Sequence, residues 1–135
     1  MLKNVIGLMS GTSRDGIDAA FLKTDGLCHV EAGEAITVPY TEDLRKQISE
    51  VVTSCKVSKT IEELVTVIHA EVITQLLNKK KSSSNEIDLI GFHGHTIYHN
   101  PDIRKTLQIG DGELLAKLTG VDVVCDFRSN DVMHG

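Results

Sequence analysis

Apolar positions change their spacing several times along the chain, and each change marks a new element. Val5 to Met9 is a short apolar run closed by Ser10-Gly11-Thr12-Ser13, and apolar character returns at Ile17, Ala19, Ala20, Phe21 and Leu22. That order reads as strand, tight turn, strand. Val30 to Val38 mixes β-branched and small residues ahead of Pro39 and predicts a third strand of an antiparallel set, weakened by Gly33. From Thr41 the period lengthens. Leu44, Ile48, Val51 and Val52 share one helical face, with Glu42 and Asp43 in the first turn, where the helix dipole favours anions. Thr60-Ile61-Glu62-Glu63 has the form of a capping box, and Ile61, Leu64, Val65, Ile68, Val72, Ile73 and Leu76 follow at helical spacing.

Ile87, Leu89 and Ile90 predict a buried strand that ends in the polar, glycine-bearing turn Gly91-Phe92-His93-Gly94-His95-Thr96. Thr106 to Gly110 predicts another short strand. Asp111 is suited to cap a helix carrying Leu114, Leu115 and Leu118, which Gly120 terminates. Val121 to Phe127 is the last expected strand, and Arg128 to Gly135 a loop. The order β-β-β-α-α-β-β-α-β implies an α/β fold, a mixed sheet with helices packed on it.

A chain of 135 residues, 41% hydrophobic, is long enough for one domain with its own core. It contains no apolar run long enough to span a bilayer, and the start, Met1 to Gly7, is too short and too soon broken for a signal peptide, so a cytoplasmic location with no membrane partner is expected. A net charge of −5 argues against nucleic acid as a partner, because a polyphosphate needs clustered Lys and Arg. The basic run Lys79-Lys80-Lys81, followed by Ser82-Ser83-Ser84-Asn85, reads as a solvated helix end and loop. Cys28, Cys55 and Cys125 form no C-x-x-C and are expected to be buried or idle thiols.

Candidate chemistry concentrates in Gly7-Leu8-Met9-Ser10-Gly11-Thr12-Ser13-Arg14-Asp15-Gly16-Ile17-Asp18. Gly11 and Gly16 let the backbone approach a ligand closely, so that successive N–H groups can face phosphate oxygens, and Ser10, Thr12 and Ser13 add hydroxyl donors. Asp15 and Asp18 repel bare phosphate. They make sense beside it when a divalent cation, a water or a sugar hydroxyl intervenes. The alternative is a hairpin whose Gly, Ser and Asp merely suit a turn. Neither a P-loop motif nor G-x-G-x-x-G occurs in the chain.

Gly7 to Asp18, Gly91 to Pro101 and Thr106 to Asp131 resemble, in the same order, three stretches of the anhydro-N-acetylmuramic acid kinase family, which shares the actin/hexokinase/Hsp70 ATPase architecture. The resemblance implies that residues 1–135 are a ribonuclease-H-like, actin-type ATPase N-terminal domain binding nucleotide and sugar, truncated, with the C-terminal domain absent. It implies ATP and Mg²⁺ as cofactors and 1,6-anhydro-N-acetylmuramic acid as substrate. The family's reaction opens the anhydro ring with water added at the anomeric carbon and places phosphate on O6, recycling peptidoglycan sugars. Gly11, Thr12, Ser13, Arg14, Asp15, Gly16, Ile17 and Asp18 then form the ATP phosphate loop, and His93, Thr96, Arg128 and Asp131 lie near the sugar. Arg128 suits a lactyl carboxylate because its guanidinium can grip it with two parallel bonds; an ion pair with Asp126 at the strand end is the structural alternative. His95 stands where the family carries glutamine.

The family's general base is expected beyond Gly135, leaving no catalytic residue assigned here. A homodimer or a separately encoded C-terminal half is the expected protein partner. Two other readings remain open: a non-catalytic remnant or binding module, and a metal site built on His93, His95 and His99, which lacks an acidic or thiol ligand at motif spacing. His69 and Tyr98 read as packing or helix-surface residues.

Overall fold

The computed structural model of the protein describes residues 2–10, 16–54, 58–100 and 105–125. Strands β1 (Lys3–Ser10), β2 (Gly16–Thr24) and β3 (Val30–Pro39) form an antiparallel meander. Helices α1 (Glu42–Ser54) and α2 (Lys59–Lys80) follow, then β4 (Leu89–Asn100), β5 (Lys105–Ile109), α3 (Gly112–Thr119) and β6 (Val123–Cys125). The strands form one sheet in the order β3-β2-β1-β4-β5, with β6 also paired to β4. β4 lies parallel to β1 and β6 parallel to β4, whereas β5 returns antiparallel. Parallel neighbours need a crossover, which α1 and α2 provide between the meander and β4. This is the mixed sheet with helices packed on it that the element order implied.

Strand alternation sets the layers. Ile6 and Leu8 pair with Phe21 and Ala19 across β2, and with Ile90 and Phe92 across β4, so all six face one side. None of them is more than 5% exposed. They form one core with Leu44 and Ile48 of α1, Val65, Val72 and Leu76 of α2, and Leu115 of α3.

The intervening positions face the other way. Val5, Gly7, Ala20, Leu22 and Gly91 are half-exposed there, and Met9 and Val124 are exposed. Ala35, Ala20, Gly7, Gly91 and Val124 are successive cross-strand partners, giving this face a smooth floor. Contiguous exposed apolar surface favours self-association. Val124→Lys is therefore expected to lower self-association in sedimentation runs while leaving the urea midpoint nearly unchanged; equal sedimentation of the two proteins would show that this face is not sticky.

Local signals explain the helix ends, with one shift. The Thr41 hydroxyl accepts the Leu44 N–H at 3.2 Å ahead of α1. Asp111 caps α3 by accepting the Leu114 N–H at 3.1 Å, and Gly120 ends it with φ 72°. For α2 the cap is Ser58, whose hydroxyl accepts the Ile61 N–H at 3.2 Å, so Thr60 lies inside the first turn instead of before it.

Two further expectations change and one gains detail. The stretch Gly91 to Thr96 continues as strand to Asn100, because β1 pairs it on one edge while β6, at Gly91 and Phe92, and β5, from His95 onward, pair it as well. The lysine run is the exposed helix end expected, with added contacts to the sheet: Lys79 Nζ donates to the Ala35 carbonyl at 2.9 Å and lies 3.6 Å from Glu34, and Lys80 Nζ sits 4.4 Å above the Phe21 ring. Helix α2 ends over β2 and β3, so these stems reach the sheet. Cys28 and Cys125 are exposed, so neither is a buried thiol; Cys55 lies outside the described residues.

Candidate functional site

In open α/β sheets, ligands gather at the carboxyl ends of parallel strands, where loops diverge. Here β1 and β4 are the central parallel pair, and Ser10, the last residue of β1, is the register partner of His95. The last residue of β1 therefore lies beside the stretch of β4 that carries His93, His95 and Thr96, although the two strands are far apart in sequence.

Of the candidate phosphate-loop residues, Gly16, Ile17 and Asp18 are described, and Gly11, Thr12, Ser13, Arg14 and Asp15 lie outside the described residues. Gly16 opens β2 opposite Pro39. A methyl group there would run into the Val38 carbonyl oxygen and come within 2.8 Å of Pro39 Cα, so close backbone packing requires glycine. Ile17 is fully buried in the helix-covered core, so only its backbone can serve a ligand. Asp18 is exposed at the start of β2 and accepts the Thr37 hydroxyl at 2.5 Å. That bond orients one carboxylate oxygen, and the carboxylate is exposed, so a cation or water can reach it.

His93 is 8% exposed, and its Nδ1 faces the Gly94 carbonyl at 3.2 Å. Thr96 pairs with Gln108 through the backbone, and its side chain is outside the description, as are those of His95 and His99. Arg128, Asp131 and Asp126 also lie outside the described residues. Among the described residues, no group of three or more His, Cys, Asp and Glu side chains is placed to hold a metal ion.

The geometry adds residues that spacing alone did not single out. On the buried side of α2, Thr66 and His69 are both 0% exposed. Thr66 donates to the Glu62 carbonyl at 2.8 Å and accepts the Asp111 N–H at 2.9 Å. His69 Nδ1–H donates to the Val65 carbonyl at 2.8 Å, and the ring meets Phe92 edge-on, with centroids 4.9 Å apart and planes at 68°. Burial above all, and to a lesser degree His93, holds the His69 imidazole down to about 4, so it is neutral at physiological pH. Glu62 is pushed up by desolvation and then by the nearby Asp111 carboxylate. A signal for these residues was present in the sequence. Ile73 is seven residues after Thr66 and four after His69, so a core contact at Ile73 puts both polar residues on the same buried sector.

Among the described residues, no helix is long and apolar enough to cross a membrane. A solved structure from Aquifex aeolicus, a member of the Ppx/GppA family, aligns with 93% of this chain and 36% of its own at TM-score 0.41 and 11% identity. The protein named anhydro-N-acetylmuramic acid kinase in Agrobacterium fabrum is 43% identical over 99% of this chain and 39% of its own length. The one of that name in Rhizobium etli is 39% identical over 100% of this chain and 39% of its own. The chain thus spans about 39% of the length of the curated relatives it matches. A model of the family described as anhydro-N-acetylmuramic acid kinase matches residues 3–135, and the chain belongs to that family.

Proposed function

We propose that the chain supplies the first phosphate loop and part of the sugar site of a cytoplasmic kinase. That enzyme uses ATP and Mg²⁺ to convert 1,6-anhydro-N-acetylmuramic acid to N-acetylmuramic acid 6-phosphate in peptidoglycan recycling. The observation that carries this reading is the Ser10 to His95 register, which puts the last residue of β1 beside the histidine stretch of β4. Phosphate donor and sugar acceptor must be neighbours for phosphoryl transfer, which depends on positioning and charge stabilisation. The described part of the loop offers a cation the exposed, oriented Asp18 carboxylate, while Gly16 is required by close packing against β3. ATP supplies the phosphoryl group. Gly16 keeps the backbone close, Asp15 and Asp18 organise the cation, and Arg128 grips the lactyl carboxylate.

The test is amide-shift mapping on this chain. Mg²⁺-ATP is expected to move Gly16 to Asp18, and the anhydro-sugar to move His93 to Thr96. Asp15→Asn is expected to remove the Mg²⁺-dependent part of the first response and leave the second intact. Responses elsewhere, or a sugar response that vanishes with Asp15→Asn, would overturn the assignment. Turnover by these 135 residues alone is expected to be absent, because phosphoryl transfer in this architecture needs two domains closing on the reactants.

A further inference from the structure

We infer that Thr66 is a positioning residue for the sugar site, holding His93 in place through the turn between β5 and α3. The inference rests on the reading that His93 belongs to that site. Thr66 is on α2, remote in sequence from both His93 and the turn, and its hydroxyl is fully buried. Its two bonds are directional: the hydroxyl proton goes to the Glu62 carbonyl, which leaves an oxygen lone pair for the Asp111 N–H. The acceptor of that N–H is thus set by the helix and not by the turn itself.

Gly110, immediately before Asp111, is pressed against β4. A methyl at Gly110 would lie 2.6 Å from Phe92 Cζ and 3.4 Å from Gly94 Cα, and its φ of 156° also suits glycine. Phe92 and Gly94 are the two neighbours of His93. The Phe92 ring also meets the His69 ring in a T-shaped contact, with centroids 4.9 Å apart. His93 therefore sits between two residues that are each packed against the Gly110 backbone, and the Thr66 hydroxyl fixes where that backbone lies. Removing the hydroxyl leaves the Asp111 N–H without its acceptor, and the turn gains freedom to move away from Phe92 and Gly94.

The experiment compares the wild-type chain with Thr66→Val, which keeps the shape and removes the hydroxyl, and Thr66→Ser, which restores it. The readouts are the His93 ring ¹⁵N resonances, Asp111 amide exchange, and affinity for 1,6-anhydro-N-acetylmuramic acid. In Thr66→Val the His93 resonances are expected to move, the Asp111 amide to exchange faster, and sugar affinity to fall on the order of tenfold. Thr66→Ser is expected to recover all three. If Thr66→Val gives no dispersed spectrum, Thr66→Cys, which keeps only a weak acceptor, makes the same comparison. Unmoved His93 resonances alongside a released Asp111 amide, or unchanged sugar affinity in Thr66→Val, would overturn the inference. A wild-type chain that ignores the sugar while the His93 ring still responds to Thr66 would instead sink the sugar-site reading, and the functional half of this inference with it.

Discussion

Replacing Gly16 by alanine is expected to open the start of the β2–β3 pairing and to destabilise the chain by roughly 3 kcal/mol, in the range of strongly overpacked sites. The methyl meets backbone on the facing strand, at the Val38 carbonyl and Pro39 Cα, and neither can rotate aside as a side chain would. Pro39 is also restrained at φ by its ring, so relief must come from separating the strands. The next pair is Ile17 with Val38, and Ile17 is fully buried, so separation reaches the core. Gly7→Ala is the control, since a methyl there meets nothing within 4 Å. Urea midpoints should fall sharply for Gly16→Ala and hardly for Gly7→Ala. Because Gly16 also closes the proposed phosphate loop, the amide response to Mg²⁺-ATP should be lost in the first variant and kept in the second. Equal midpoints for the two variants would show that the close contact at Gly16 is relaxed at no cost.

Acid should destabilise the chain through His69, by an amount of similar size. In the fold its imidazole titrates at about 4, well below the ordinary 6.5, chiefly because burial disfavours the charged form. The unfolded chain takes up this proton as pH falls through about 6.5, while the folded chain does not until about pH 4, so protonation draws the equilibrium toward the unfolded state. The stability associated with the neutral ring is complete above the unfolded value and is lost progressively down to the folded one. The loss amounts to roughly 3 kcal/mol. Carboxylates titrate in part of the same window, so the informative quantity is a difference. His69→Phe retains an aromatic ring against Phe92 and has nothing to protonate, and its urea midpoint should be much flatter than the wild type's across that window. Parallel curves for the two proteins would mean that His69 is not kept neutral by the fold.

Much of this molecule was legible along the chain because its elements are locally encoded. The short apolar runs of β1 and β2 with the polar turn between them, the period of 3.6 in α1 and α2, and the cap chemistry of Asp111 and Gly120 all depend on neighbours a few residues away, and the element order followed from them. The stretch Gly7 to Asp18 was recognisable as a candidate loop for the same reason, its glycines, hydroxyls and acids being contiguous. What the sequence could not decide depended on partners distant in the chain. The segment from Gly91 to Thr96 has the composition of a turn, yet it is strand because β1, β6 and β5 supply its pairing partners. Lys79 and Lys80 are exposed as their composition suggests, but their contacts with the Ala35 carbonyl and the Phe21 ring depend on β2 and β3 lying beneath the end of α2. Thr66 and His69 look like interruptions of an apolar face, and only packing against Asp111 and Phe92 gives them partners. Local free-energy preferences determined which elements form and in what order. Which candidate residues share one end of the sheet was decided by the parallel pairing of β1 with β4, a contact between segments some eighty residues apart that no local preference encodes.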